Sequence, residues 1–153
     1  MYKKNIGSGD DGKTDFYGVR IAKTDDNLIL LGFIDEVNAI LGLIVAKHQI
    51  EILKKIEKLN LDIMGFVAGY IGGEKVKKCI KFIESEIKNL SDINIDKFIV
   101  FDKDEKTSLL NILRTKIRIA EIYAWKVGKK DVAIYLNRLS DLIFLVAVRD
   151  FLR

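Results

Sequence analysis

Beyond residue 24 the apolar residues recur at three- and four-residue steps, in blocks separated by short polar breaks. That is the period of helices with one face turned inward. Thr24-Asp25-Asp26 carries a start signal, a capping oxygen followed by acids in the first turn, and predicts a first helix reaching about His48. A second is expected from about Gln49 to Ile71, on Ile52, Ile56, Ile63, Phe66 and Tyr70, ending at Gly72-Gly73. A third, about Glu74 to Leu90, sets Val76, Cys79, Ile83 and Ile87 against lysines and glutamates. After a connection from Ser91 to Lys103 that holds the apolar run Phe98 to Phe101, a fourth helix covers about Asp104 to Val127 and stops at Gly128. The fifth, about Lys130 to Phe151, is apolar nearly all round, which predicts burial at the centre or at a subunit contact.

The first 24 residues follow another rule. Gly7, Gly9, Gly12 and Gly18 crowd together with Ser8, Asp10, Asp11, Thr14 and Asp15, a loop by composition. The fold expected is all-α, an up-and-down five-helix bundle with a glycine-rich N-terminal loop. It forms one domain over residues 1–153, with a phosphate-binding loop at 1–24 and the bundle at 25–153.

Composition sharpens this picture. Proline is absent, where average usage of about 5% would give several. No fixed kink interrupts the helices. The 26 Lys+Arg exceed the 22 Asp+Glu by four, a mild tilt toward anionic ligands. The lysines lie beside glutamates along several segments rather than in one basic stripe, which argues against nucleic acid as a partner. The longest purely apolar run, Leu142 to Val148, is too short for a bilayer that needs about twenty residues. The start, MYKKNIGSGDDGK, lacks the apolar core of a signal peptide. A single cysteine, Cys79, allows no internal disulfide; a cytoplasmic location away from membranes is expected. Cys79 on its apolar stripe is expected in the core, and His48 beside Lys47 is expected to meet the helix C-terminus rather than to do chemistry.

Chemistry is signalled in three places. Residues 7–14, GSGDDGKT, satisfy the phosphate-loop pattern GxxxxGK[ST], in which Lys13 would reach terminal phosphates and Thr14 would bind Mg²⁺. That site needs a buried strand entering and a helix leaving, and neither flank here reads as part of a parallel sheet. A glycine-rich loop with exposed amides can cradle phosphate without that fold. On the fourth helix, Arg114, Arg118, Glu121 and Trp125 share a face beside the apolar stripe. On the first, Leu31, Asp35, Asn38 and Gly42 do likewise; Asp35 is a candidate partner for an arginine of the fourth, and Gly42 is expected to permit a close approach. Asn137 and Ser140 sit in the very apolar fifth helix, where polar groups require partners.

These motifs, in this order, resemble the PduO-type cobalamin adenosyltransferases over essentially the whole chain. SGDDGKT at 8–14 and Arg20-Ile21-Ala22-Lys23 match the family's TGDxGxT loop and Arg-Val-x-Lys; LGFIDEVNAILG at 31–42 matches its GTxDExNxxxG helix. Phe98 keeps the interval from the phenylalanine of FILPGG to the arginine of RTVCRRAER, here Arg114, and YLNRLSD at 135–141 matches FLNRLSD. The resemblance implies a ferritin-like homotrimer that moves the 5′-deoxyadenosyl group of ATP to the Co(I) of cob(I)alamin, with inter-subunit active sites and Mg²⁺ at the phosphates. It implies that Gly7, Ser8, Gly9, Asp10, Gly12 and Thr14 wrap the triphosphate and that Lys23 adds charge. It implies that Arg118 binds phosphates, Glu121 and Asn137 hold the nucleotide, Arg114 pairs with Asp35 near the corrin, and Phe98 closes on the corrin's lower face. A cob(II)alamin reductase or a cobalamin-dependent acceptor enzyme is the candidate protein partner. Some positions depart from the family: Ile119 and Ile122 stand where it has arginines, Lys13 where it has a small or hydroxyl residue, and FIVFDK where it has FILPGG. Two other readings of the residues remain, a P-loop NTPase built on residues 7–14 and a non-catalytic bundle that binds nucleotide or cobalamin.

Overall fold

The computed structural model describes residues 6–90, 92–96 and 98–153. The first part of the glycine-rich N-terminal segment, residues 1–5, and two positions of the long connection, Ser91 and Lys97, lie outside the described residues. Five helices follow a small hairpin: β1 Lys13–Phe16, β2 Val19–Ala22, α1 Asp26–His48, α2 Glu51–Val67, α3 Gly73–Lys88, α4 Glu105–Lys126 and α5 Lys130–Phe151.

The hairpin corrects the expectation of a plain loop. β1 and β2 pair antiparallel with Asp15 opposite Arg20, and Tyr17 and Gly18 make the two-residue turn with φ of 47° and 73°. Positive φ at both central residues is what a tight right-twisted hairpin requires. The same finding removes the P-loop reading, because Lys13 and Thr14 open a strand where that motif needs a helix N-terminus.

Capping sets the helix starts. Asp25 accepts from the Asn27 amide at 2.9 Å, and Asp104 accepts from the Thr107 amide at 2.9 Å and the Thr107 hydroxyl at 2.8 Å. Those bonds hold the Asp104 carboxyl below its usual range. α2 stops earlier than its apolar pattern predicts, at Val67, because Gly69 turns the chain with φ +88°. Gly72-Gly73 instead begins α3. The helices close a ring in which α4 touches α1 and α5, α3 touches α5 and α2, and α2 touches α1. α5 fills the place its composition predicts, buried along two sides by α3 and α4. α1 is long and apolar enough to cross a membrane by length and composition alone, yet Leu30, Ile34, Val37, Leu41 and Ile44 are fully buried in the bundle core.

Inside that core lies one polar chain. The Tyr135 hydroxyl donates to Asn60 Oδ1 at 2.8 Å, Asn60 Nδ2 donates to Asn38 Oδ1 at 2.8 Å, and Asn38 Nδ2 points to Met64 Sδ at 3.3 Å. Tyr135 and Asn60 have no exposure, and burial pushes the Tyr135 hydroxyl well above its usual pKa. Tyr135→Phe removes the donor and strands a buried amide oxygen, so it should cost about 1–3 kcal/mol. Calorimetry should show the melting temperature falling by several degrees. An unchanged midpoint would mean the chain of bonds contributes nothing. Gly42 meets α2 only at the Glu57 carboxylate, where an added Cβ would sit at an ordinary 3.5 Å. The close approach belongs to Gly65, whose added Cβ would lie 2.8 Å from Ile71.

Candidate functional site

The N-terminal loop turns through two local bonds, Asp10 N–H to Gly7 C=O at 3.1 Å and Gly12 N–H to Gly9 C=O at 3.2 Å. Arg20 clasps it from β2, with Nη2 donating to the Ser8 carbonyl at 2.6 Å and to Asp11 Oδ1 at 2.9 Å, and Nη1 reaching Asp15. The guanidinium hydrogen bond lowers the Asp11 pKa. This clasp therefore holds above the ordinary carboxylate range and loosens as pH falls through Asp11's lowered pKa. Lys23 folds its ammonium over Gly9, where an added Cβ would lie 2.6 Å from Nζ. A side chain there would have to displace the end of the Lys23 side chain, so the glycine lets the ammonium lie directly over the loop backbone. The hairpin docks by its turn, Tyr17 lying edge-on to Tyr70 with ring centroids 5.1 Å apart and flat against Gly69.

The second group sits on α4 and α5. Glu121, 8% exposed, accepts from Asn137 Nδ2 at 3.2 Å and from Trp125 Nε1 at 3.4 Å. Ser140 is satisfied within its helix by the Asn137 carbonyl at 2.8 Å. Arg118 is exposed, as is Asp141, whose pKa burial raises against the pull of Arg138 and Arg118.

The third group is a cleft of about 570 Å³ between the long connection and the α4–α5 face. Phe98, Arg114 and Arg118 line it together with Asn111, Asp141 and Phe144. Phe98 stands fully out of the core at its edge. Arg114 is fixed on two sides, Nε donating to Asn111 Oδ1 at 3.0 Å and the guanidinium lying 5.9 Å from the Phe144 ring centroid. Two arginines and two aspartates, Asp96 and Asp141, thus share a cleft whose walls are otherwise aromatic and apolar, so the guanidiniums offer anion contacts beside room for a large flat apolar body.

Phe98, Arg114, Arg118 and Ser140, all singled out from sequence, therefore line one cleft, and Glu121 and Asn137 meet one helical turn away. Asp35 does not join them. It is exposed on α1, and among the described residues no ion pair links it to Arg114; the α1–α4 pairs are Lys116 with Glu36 at 2.7 Å, Lys126 with Asp26 at 2.9 Å, and Lys47 with Glu105. Arg114 is instead turned toward α5. Nor does any hydrogen bond, ion pair or common cleft among the described residues join Gly7–Thr14 to Arg118, Glu121 or Asn137. Sequence reasoning passed over Asn111 and gave Arg20 no role of its own, whereas it placed Phe144 on one side of the fifth helix with Asn137 and Ser140. Arg20 had a signal, its place opposite Asp15 across a Tyr-Gly turn; Asn111 had one in its step of three from Arg114.

Fold and site together define a helical-bundle protein with a glycine-rich N-terminal loop and hairpin and an arginine- and aromatic-lined cleft on its α4–α5 face. The sequence profile of the cobalamin adenosyltransferases matches residues 5–149, and the chain belongs to that family of transferases. A corrinoid adenosyltransferase of Mycobacterium tuberculosis is 28% identical over 162 residues, covering 92% of this chain and 84% of its own. That of Mycobacterium leprae is 25% identical over 96% of this chain and 88% of its own. Among solved structures, an arginine-to-lysine variant of the PduO-type ATP:co(I)rrinoid adenosyltransferase from Lactobacillus reuteri, complexed with ATP, superposes with TM-score 0.81 at 26% identity, covering 96% of this chain and 91% of that one. A phenylalanine-to-alanine variant of the Lactobacillus reuteri enzyme, complexed with cobalamin and ATP, gives 0.81 at 25%, covering 95% and 91%.

Proposed function

We propose that this chain transfers the 5′-deoxyadenosyl group of ATP to the Co(I) of cob(I)alamin, and that the cleft joining Phe98, Arg114 and Arg118 is where the corrinoid and the triphosphate meet. The cobalt lone pair attacks C5′, the Co–C bond forms, and the C5′–O bond breaks as triphosphate leaves with its electron pair. No side chain must accept or deliver a proton in that step. What the protein has to provide is stabilisation of growing negative charge on the leaving group, by cations and amides arranged before the reaction. Arg118 supplies a guanidinium that binds phosphates bidentately, while the amides of Gly7 to Gly12, the Ser8 and Thr14 hydroxyls and the Lys23 ammonium wrap the other end. Glu121 and Asn137, already bonded to each other, hold the nucleotide. Arg114, stacked on Phe144, faces the corrin.

The arginine and the phenylalanine altered in the two Lactobacillus reuteri structures stand as far apart in sequence as Phe98 and Arg118, which supports giving these two residues the central roles. Among the described residues no cluster of three acidic, histidine or cysteine side chains exists to cage a metal. Mg²⁺ fits as an ion carried by the triphosphate, with the exposed Asp10 carboxylate and the Thr14 hydroxyl as the loop's oxygen donors.

The working unit we infer is a homotrimer in which the loop of one subunit completes the α4–α5 site of the next. Apolar surface supports it: Ile112, Ile119 and Ile122 are 47%, 41% and 62% exposed on α4, and Leu43 is 48% exposed on the adjoining α1. Between subunits Asp35 is free to meet a neighbouring arginine. A cob(II)alamin reductase or a cobalamin-dependent acceptor enzyme would work beside it. Incubated with ATP and chemically reduced cobalamin, the protein should form adenosylcobalamin and triphosphate in equal amounts, by absorbance and ion chromatography. ADP with orthophosphate as the products would overturn this reading.

A further inference from the structure

The segment that follows Phe98 is built unlike the proline-glycine turn of the family pattern, and its packing assigns it a task. From Phe98 to Phe101 the side chains alternate: Phe98 and Val100 are exposed, Ile99 is half-buried, and Phe101 is 8% exposed. The Phe101 ring lies edge-on to two aromatic rings of α5, with centroids 6.1 Å from Phe144 and 5.6 Å from Phe151. Its carbonyl accepts from the Ser108 hydroxyl at 2.7 Å, and Asp102 N–H closes a tight turn onto Val100 C=O at 3.1 Å. Lys103 then lies over Phe151, 5.6 Å from the ring centroid, and donates to the Phe151 carbonyl at 3.2 Å near the negative end of α5.

We propose that Phe101, locked by Lys103, is a positioning residue that fixes Phe98 over the cleft. It takes the part that a proline turn would play by stiffness and replaces it with an aromatic anchor. Three residues of extended chain span at most about 10 Å, so an anchor at Phe101 confines the sweep of Phe98 to the cleft mouth. The same anchor reaches the site from below. Phe144, which Phe101 supports on one edge, carries the Arg114 guanidinium, so one aromatic stack sets both groups that face the corrin. The inference rests on the reading of Phe98 as the side chain that meets the corrin's lower face and keeps the nucleotide loop off the cobalt.

That dependence gives the test its form. Transfer is measured to cobalamin and to cobinamide, a corrinoid without the lower nucleotide loop, for Phe101→Ala, Lys103→Met and Phe98→Ala. Phe101→Ala should lower kcat with cobalamin about tenfold while the KM for ATP stays within about twofold, and the loss should shrink to about twofold with cobinamide. Lys103→Met, an exposed change that spares the core, should move the same ratio in the same direction by about threefold. Equal losses on both corrinoids, or a raised KM for ATP, would make Phe101 a packing residue only and overturn the inference. Phe98→Ala separates the two layers. If Phe98→Ala discriminates between the corrinoids and neither Phe101→Ala nor Lys103→Met does, the anchor is wrong and the reading of Phe98 stands. If Phe98→Ala itself fails to discriminate, that reading falls and the anchor with it.

Discussion

Arg118→Ala should lower kcat/KM by about 10²–10³, the loss met when one preorganised donor is removed from developing negative charge. Arg118 is exposed, lines the cleft, and its side chain forms no hydrogen bond among the described residues. The substitution should therefore leave the melting temperature within about a degree. Activity would fall without loss of fold, and the KM for ATP should rise if, as proposed, the same guanidinium holds the ground-state phosphates. Lys in its place keeps charge but loses the planar fork, so Arg118→Lys should fall between the two. The neighbourhood makes Arg118 hard to replace, since Ile119 and Ile122 stand where the family has arginines. An Arg118→Ala protein with near-native kcat/KM would move the phosphates elsewhere, most directly onto Lys13 and Lys23 of the loop.

The subunit arrangement can be read from the same variant. Asp10→Ala together with Ser8→Ala should inactivate the loop half of a site, as Arg118→Ala inactivates the helical half. Refolded together in equal amounts, the two inactive proteins should regain roughly a quarter of native activity if loop and arginine come from different subunits of a trimer. Mixing that restores nothing would place both halves in one chain.

The helical bundle was legible because its signal is periodic and repeated: α1, α4 and α5 each carry more than five turns of apolar positions. The hairpin was not legible, for physical reasons. Its strands have four residues each, only Thr14, Phe16 and Ile21 are half-buried, and the turn places Tyr17 at positive φ where asparagine would have announced it. The end of α2 was misplaced because a glycine run offers several stops and only packing chooses; Tyr17 needs the bare face of Gly69. At the site, spacing along one helix put Arg114 and Arg118 on a common face, and the cleft contains both. Spacing could not say which face of α1 meets α4. Glu36, one residue from Asp35, is the acid that reaches across to Lys116. The same limit hid Phe101, since an unbroken run FIVF does not reveal that its first ring points out and its last points in.

Phe98→Ala should produce the opposite profile from Arg118→Ala. Its ring is fully exposed and buries nothing in the core, so its removal should leave stability unchanged, where burying such a ring would have been worth several kcal/mol. The KM for ATP should stay within about twofold, because the ring carries no charge toward phosphate. Transfer to cobalamin should fall by about 10², roughly 2.7 kcal/mol of barrier. An apolar ring at the lower face excludes the nucleotide loop from the cobalt, and cobalt without a lower ligand is the form more readily reduced to the Co(I) nucleophile. Phe98→Leu, apolar but smaller, should recover part of the rate, whereas Phe98→Asn, similar in size to leucine but able to hydrogen-bond, should not. Absorption spectra of enzyme-bound cob(II)alamin with ATP supply the readout apart from rate, since loss of the lower ligand shifts the corrin bands. The native protein should show that shift and Phe98→Ala should lack it. A Phe98→Ala protein that keeps the shift while losing ATP affinity would assign Phe98 to the nucleotide, and the division of work between the two ends of the cleft would have to be reversed.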